Sequence, residues 1–138
     1  FGRTTTLVHP EKNYFPTSPY DVIKENKKMG LHSLILLDIQ AEKERYMSAN
    51  EGMEVLLRME EIRKEGIINN ETIVCVIVRA GSNDSMVCAG TIEELISRKY
   101  GKPLHSLVLP GKLHFMEIEA LKTLAQLPAQ QIKKLQKV

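Results

Sequence analysis

Three apolar stretches of the chain are bordered by residues equipped for chemistry. Asp38 closes the apolar run Leu34-Ile35-Leu36-Leu37, Arg79-Ala80-Gly81-Ser82 follows six consecutive apolar residues at 73–78, and His105 precedes Ser106-Leu107-Val108-Leu109. A carboxylate at a strand end can take a ligand hydroxyl or amine, or it can satisfy the N–H donors of its own loop; the residues alone leave both open. A histidine at a strand start can transfer a proton, although a packing or hydrogen-bonding role is the more ordinary one. His114, after Gly111-Lys112-Leu113, can cap a following helix or, with Lys112, meet an anion. His9 and His32 lie just outside apolar segments with no partner evident in the sequence.

Several chemistries find no support. Gly81-Ser82 lacks the glycine spacing of a phosphate cradle, and no serine nucleophile elbow accompanies the histidines. Cys75 and Cys88 stand in apolar segments without a CxxC partner, so they read as small core residues rather than metal ligands. Reduced cysteines suit a cytoplasmic protein. With 138 residues, 43% hydrophobic and 26% charged, the chain has the makings of one globular domain spanning 1–138. A net charge of +2, 5% aromatic residues and no tryptophan give no case for nucleic acid. The basic residues Lys133, Lys134 and Lys137 read as the solvated face of a last helix. No apolar run approaches the roughly twenty residues of a membrane span. The start at Phe1 suggests a piece of a longer protein.

The elements that must position these residues follow from pattern. A strand is expected over 4–8 and a loop over 13–16; then Ser18 as N-cap and Pro19 at the first helical position open a helix with Val22, Ile23 and Met29 inward and Gly30 as its stop. Residues 33–39 form a second strand and 41–47 an irregular loop. Ser48-Ala49-Asn50-Glu51 is a capping box opening a long helix, with Val55, Leu56, Met59 and Ile62 inward, Glu54–Arg58 and Glu60–Lys64 paired outside, and Gly66 as its end. Residues 72–82 hold the central buried strand. A hairpin turn leads to a fourth strand at 86–88, a second capping box at Thr91-Ile92-Glu93-Glu94 starts a helix ended by Gly101, and 106–109 is the fifth strand. Helices follow over 116–125 and from Pro128.

The fold class is therefore α/β, a mixed, mainly five-stranded sheet covered by helices. A helical crossover returns the chain to the same edge, so the second and third strands run parallel; the hairpin reverses direction, and a second crossover keeps it reversed. Leu37, Ala80 and His105 then meet along one rim, the kind of place where α/β sheets hold ligands.

The blocks Phe1-Gly2-Arg3-Thr4, Asn13-Tyr14-Phe15-Pro16-Thr17-Ser18-Pro19-Tyr20, Gly30-Leu31-His32, Leu36-Leu37-Asp38-Ile39, Tyr46-Met47-Ser48-Ala49-Asn50-Glu51, Arg79-Ala80-Gly81-Ser82, Leu104-His105-Ser106-Leu107 and Pro110-Gly111-Lys112-Leu113-His114 occur in this order. Together they resemble the diphthine synthase family, and the uninterrupted passage from Asp38 to Met47 resembles its archaeal form. The family belongs to the class III, tetrapyrrole-methylase-like methyltransferases, whose two α/β halves hold S-adenosylmethionine between them; this chain resembles only the second half. The resemblance implies methylation of the amine of a modified histidine on translation elongation factor 2, in diphthamide biosynthesis, with S-adenosylhomocysteine as product. It also implies a homodimer, a site completed by the missing amino-terminal half, and an isolated fragment with little activity. Carried over to this sequence, the cofactor contacts fall on Leu37, Ala80 and His105, mostly through backbone; a general base is possible but not assignable from these residues, and no metal is expected. Two other readings stay open: a class III methyltransferase for another acceptor such as a tetrapyrrole, and a non-catalytic dimerisation or binding module that keeps the fold.

Overall fold

A computed structural model describes residues 2–11 and 14–111. Lys112, His114, the basic tail and the helices expected over 116–125 and from Pro128 lie outside the described residues. Within them the order is β1 (Thr5–Leu7), α1 (Ser18–Lys28), β2 (Ser33–Leu37), β3 (Ile39–Gln40), a 3-10 turn (Ala41–Lys43), β4 (Arg45–Tyr46), α2 (Ala49–Arg63), β5 (Ile73–Val78), β6 (Met86–Thr91), α3 (Ile92–Leu95) and β7 (His105–Leu109).

The main sheet has five strands in the order β1-β2-β7-β5-β6, so it is the expected mixed α/β sheet. β1 and β2 are parallel, and every other pairing is antiparallel. The apolar strand β5 was expected at the centre, but that place belongs to β7. β2 and β5 run in the same direction and are separated by β7, which pairs Leu36 with Ser106 on one side and Val78 with His105 on the other. Residues 41–47, expected as an irregular loop, include half of a short ladder, Ile39 opposite Tyr46 and Gln40 opposite Arg45. That pairing follows from chain reversal at the 3-10 turn, which no hydrophobic period announces.

The core lies where α1 and α2 meet one face of the sheet: Leu7, Ile35, Leu37, Val76 and Leu107 from the strands, Tyr20 and Ile23 from α1, and Met53, Leu56 and Met59 from α2. Leu36, on the opposite face from Leu37, is exposed, so β2 alternates rather than being covered on both faces. Met29 and Ile62, expected inward, are exposed, because each lies at or beyond the last turn of its helix where the apolar stripe has left the sheet. Cys75 is buried and Cys88 half-buried; burial pushes the Cys75 thiol up to about 12.

The helix termini divide. Ser48 caps α2 in the expected reciprocal box with Glu51. Ser18 does not cap α1: Thr17 holds the N-cap position without a side-chain bond, and Pro19 falls one place later, where the missing N–H is still an orphan. Glu60 is also used differently from the expected pair with Lys64. Its carboxylate accepts from the Tyr20 hydroxyl at 2.9 Å and from the backbone N–H groups of Gly66, Ile67 and Ile68 at 3.0, 2.7 and 2.8 Å, closing the turn after α2. Arg58, expected to pair with Glu54, has its guanidinium carbon 4.3 Å from the centroid of the Phe15 ring.

α2 reaches the sheet closely at Gly52. A Cβ there would stand 2.8 Å from Leu37 Cδ2 and 3.2 Å from Leu107 Cδ1. Glycine is thus a spacing residue between α2 and the strands β2 and β7. Gly52→Val should destabilise the fold by about 1–3 kcal/mol in denaturant titration, the usual cost of overpacking a filled core.

Burial alone would raise the Glu60 carboxyl, but the N–H donors of Ile68, Gly66 and Ile67 and the Tyr20 hydroxyl outweigh it and hold it below its ordinary value. A lowered carboxylate contributes stability above its unfolded pKa and loses it as pH falls through the folded one. Glu60→Gln is therefore expected to unfold more easily by about 1–2 kcal/mol near pH 7. In urea titrations at a series of pH values, that gap from wild type should close below about pH 4.

Candidate functional site

The carboxyl-terminal ends of β2 and β5 and the start of β7 reach the same rim, where the last ladder pairs are Leu36 with Ser106 and Val78 with His105. A cavity of about 550 Å³ opens there, lined by Leu36, Leu37, Ile39, Ala80, Leu104 and His105 among others. The structure thus brings Leu37, Ala80 and His105 together. The volume lies within the range of small-molecule sites.

Each of the three is presented differently. The Leu37 side chain is buried in the core beneath Gly52, so its peptide group rather than its side chain is what the rim can offer. Ala80 lies two residues beyond the last paired residue of β5, exposed, with the left-handed Gly81 (φ +83°) behind it. His105 is 8% exposed and both of its ring nitrogens are engaged. The Ala49 N–H donates to Nδ1 at 3.0 Å, and Nε2 lies 3.0 Å from the Lys102 carbonyl. A backbone N–H needs a lone pair and a carbonyl needs a donor, which together require neutral imidazole protonated at Nε2. His105 therefore ties the first residue of α2 to the loop before β7. Tyr100 stands edge-on to it, ring centroids 6.0 Å apart, and donates its hydroxyl to the Leu95 carbonyl at 2.6 Å. Burial pushes that hydroxyl up to about 12.

Asp38, the other candidate, satisfies loop donors. Its Oδ2 accepts the His9 N–H at 3.0 Å and its carbonyl accepts the Met47 N–H at 2.9 Å, which brings the ends of β1 and β2 to the approach of α2. His32, without an evident partner in sequence, has one, whereas the Nε2 of His9 is buried without a hydrogen-bond partner among the described residues. His9 is buried with Nδ1 3.9 Å from Glu51 Oε2, and His32 Nδ1 accepts the Gly111 N–H at 2.8 Å.

Sequence reasoning missed Arg79, reading it only as the exit from β5. Its guanidinium donates from Nη1 to the carbonyls of Tyr100 and Lys102, at 3.0 and 2.6 Å, and from Nη2 to the Asp84 carbonyl at 3.3 Å. Nε also lies 2.9 Å from Asp84 Oδ2. The Ser82 hydroxyl, 2.6 Å from Asp84 Oδ1, holds the Asp84 carboxyl below the usual carboxylate range, with Arg79 assisting. Nothing in the order of residue types distinguishes such a clamp from a solvated arginine, because its partners are carbonyls about twenty residues away.

The rim can therefore do one kind of thing well. Exposed Leu36, Ile39 and Leu104 supply apolar surface, and the strand ends, where ladder pairing stops, are where peptide groups can supply polar edges. That combination suits a flat heteroaromatic group with a polar periphery. No histidine, carboxylate or cysteine among the lining residues named here is left free for covalent or metal chemistry.

No protein-family model matches the chain. The diphthine synthase of Methanococcus maripaludis is 56% identical over 124 residues, covering 90% of this chain and 49% of the relative. That of Methanocaldococcus jannaschii is 53% identical over 128 residues, covering 91% and 50%. A crystal structure of diphthine synthase aligns with a TM-score of 0.80 and 30% identity, over 98% of this chain and 49% of that one. The chain spans about half the length of the curated relatives it matches. By sequence and by fold, the chain is similar to one half of a diphthine synthase, and the carboxyl-terminal half of the archaeal type fits.

Proposed function

We propose that the chain is a single domain, the second of a two-domain class III methyltransferase, and that the whole enzyme acts as a diphthine synthase using S-adenosylmethionine. Leu37, Ala80 and His105 carry this proposal, because residues far apart in sequence line one cavity at the ends of three neighbouring strands. The adenine portion of the cofactor suits that cavity. Peptide groups at Leu37, Ala80 and His105 would hold its polar edge, and Leu36, Ile39 and Leu104 would cover its faces.

When bound, the cofactor supplies a sulfonium-activated methyl group. The work left to the protein is to hold donor and acceptor in line and keep water out, which can lower the barrier by several kcal/mol without a covalent intermediate. His105, with both nitrogens engaged, serves as anchor rather than base. No residue of this half is assigned to deprotonate the acceptor. The acceptor is the amine of the modified histidine on translation elongation factor 2, in diphthamide biosynthesis, and S-adenosylhomocysteine is the product. The enzyme works in the cytoplasm as a homodimer, and the half of the relatives' length that this chain does not span closes the cleft.

Calorimetry tests the divided site. The chain alone should bind S-adenosylmethionine weakly or not at all, and adding the other half should restore binding; tight binding by the chain alone contradicts a shared cleft. In the full-length enzyme, Ala80→Trp should raise KM for the cofactor by about tenfold or more, the scale of losing roughly 1.4 kcal/mol of binding. Turnover indifferent to that change would make this half a scaffold. Labelled methyl transfer to a tetrapyrrole rather than to modified elongation factor would leave the cofactor site standing and replace the acceptor.

A further inference from the structure

We propose that Arg79 is the positioning residue of the rim, a clamp that sets the distance between the two loops bordering the cavity without touching the ligand through its charge. The inference rests on the cofactor reading above for its consequence, but on geometry for its existence.

Two loops flank the cavity on the β5–β7 side: residues 79–85, joining β5 to β6, and residues 100–104, leading into β7. The first carries Ala80 and Ser82 and the second Pro103 and Leu104, all of them cavity-lining. Neither loop has a regular ladder to hold it, since pairing between β5 and β7 stops at Val78 and His105. Arg79 joins them twice. Its own N–H donates to the Leu104 carbonyl at 2.7 Å, and its guanidinium reaches Tyr100 and Lys102 in one loop while holding Asp84 in the other. Its backbone has φ +49°, a conformation sparsely populated by non-glycine residues. A glycine would adopt that angle more readily, so what favours arginine here is its side chain.

The guanidinium is planar, permanently charged and carries five donors in a fixed fork. Its Nη1 and Nη2 donate to three carbonyls, and Nε stands 2.9 Å from the Asp84 carboxylate as an ion pair without a hydrogen bond of its own among the described residues. Arg79 also borders the cavity, and a free arginine there would attract a carboxylate or phosphate. An engaged one instead fixes where the peptide groups near Ala80 and His105 stand. Lysine cannot replace it, because one ammonium cannot satisfy acceptors arranged around a plane.

The experiment uses the full-length enzyme with Arg79→Met, Arg79→Lys and Asp84→Asn, read in two ways. The first is the split between KM for S-adenosylmethionine and kcat. A clamp predicts that Arg79→Met raises KM by about tenfold or more with kcat within about threefold, as expected when binding geometry rather than a transition-state contact is lost. Arg79→Lys should behave nearly as badly, and Asp84→Asn should show a smaller rise. The second is amide hydrogen exchange without ligand, which should quicken together in residues 79–85 and 100–105 of Arg79→Met. A fall in kcat at unchanged KM would make Arg79 a catalytic contact and overturn the clamp; unchanged KM with wild-type exchange would overturn it too. If Arg79→Met fails to fold, Asp84→Asn decides by the same two signs. Failure of the wild-type enzyme to bind the cofactor would remove the cofactor reading and the KM consequence, while the exchange comparison still shows whether the clamp exists.

Discussion

β7 lies between β2 and β5 and runs against both, so its first residue stands beside the last residues of two strands that reach the rim from separate connections. Had β2 and β5 been hydrogen-bonded neighbours, their ends would have met without any strand beginning between them. The insertion is held in register by the core. His105, Leu107 and Leu109 face inward, and Leu107 is fully buried under Gly52 of α2. A slip of one residue would turn Leu107 outward and bring Ser106 into the core, which a side-chain period of two makes costly. The rim is thus fixed by packing some way from the cavity.

Side chains that look equipped for chemistry are spent on holding this arrangement together. His105 secures the start of α2, Asp38 joins the ends of β1 and β2 to the chain entering α2, and Arg79 spans the loops on the other side. What remains for a ligand is mainly peptide edges and aliphatic surface. Such a surface recognises a planar group by the path of the chain, and it needs each path to be stiff. The polar side chains provide that stiffness: a buried donor or acceptor left without its partner costs about 1–3 kcal/mol, so the arrangement resists loosening.

Several signals that depend on neighbours in sequence survived into the structure. The Ser48–Glu51 box caps α2 as expected, the β-branched run at 73–78 is a strand, and the turn formers at 81–84 make a hairpin. Strand directions followed from connectivity, and with them the meeting of Leu37, Ala80 and His105. The failures have another character. Ser18-Pro19 carries the same residue types as a capping pair, yet Thr17 is where the chain turns into α1, and only its path over β1 and β2 decides that. Met29 and Ile62 keep the helical period but lie where the helices have left the sheet. The central place of β7 and the duties of Glu60, Asp38 and Arg79 depend on partners remote in sequence. Residue types do not encode those distances.

A rim made of peptide groups also changes where sensitivity to substitution should lie. Leu37 has its side chain buried in the core and Ala80 carries only a methyl group, so substitution at either matters in the cavity mainly through bulk. Gly52, His105 and Arg79 matter through the positions they impose on others: Gly52 sets how near α2 comes to β2 and β7, His105 sets where that helix begins, and Arg79 sets the spacing of the loops. The first two are linked directly, since the Ala49 N–H held by His105 lies one turn before Gly52 on the same helix. Displacing α2 at either point must move Leu37, and with it the peptide that Leu37 offers. The cavity is therefore linked to the α2 contact through Leu37, and a glycine inside the core bears on its shape as well as the residues lining it.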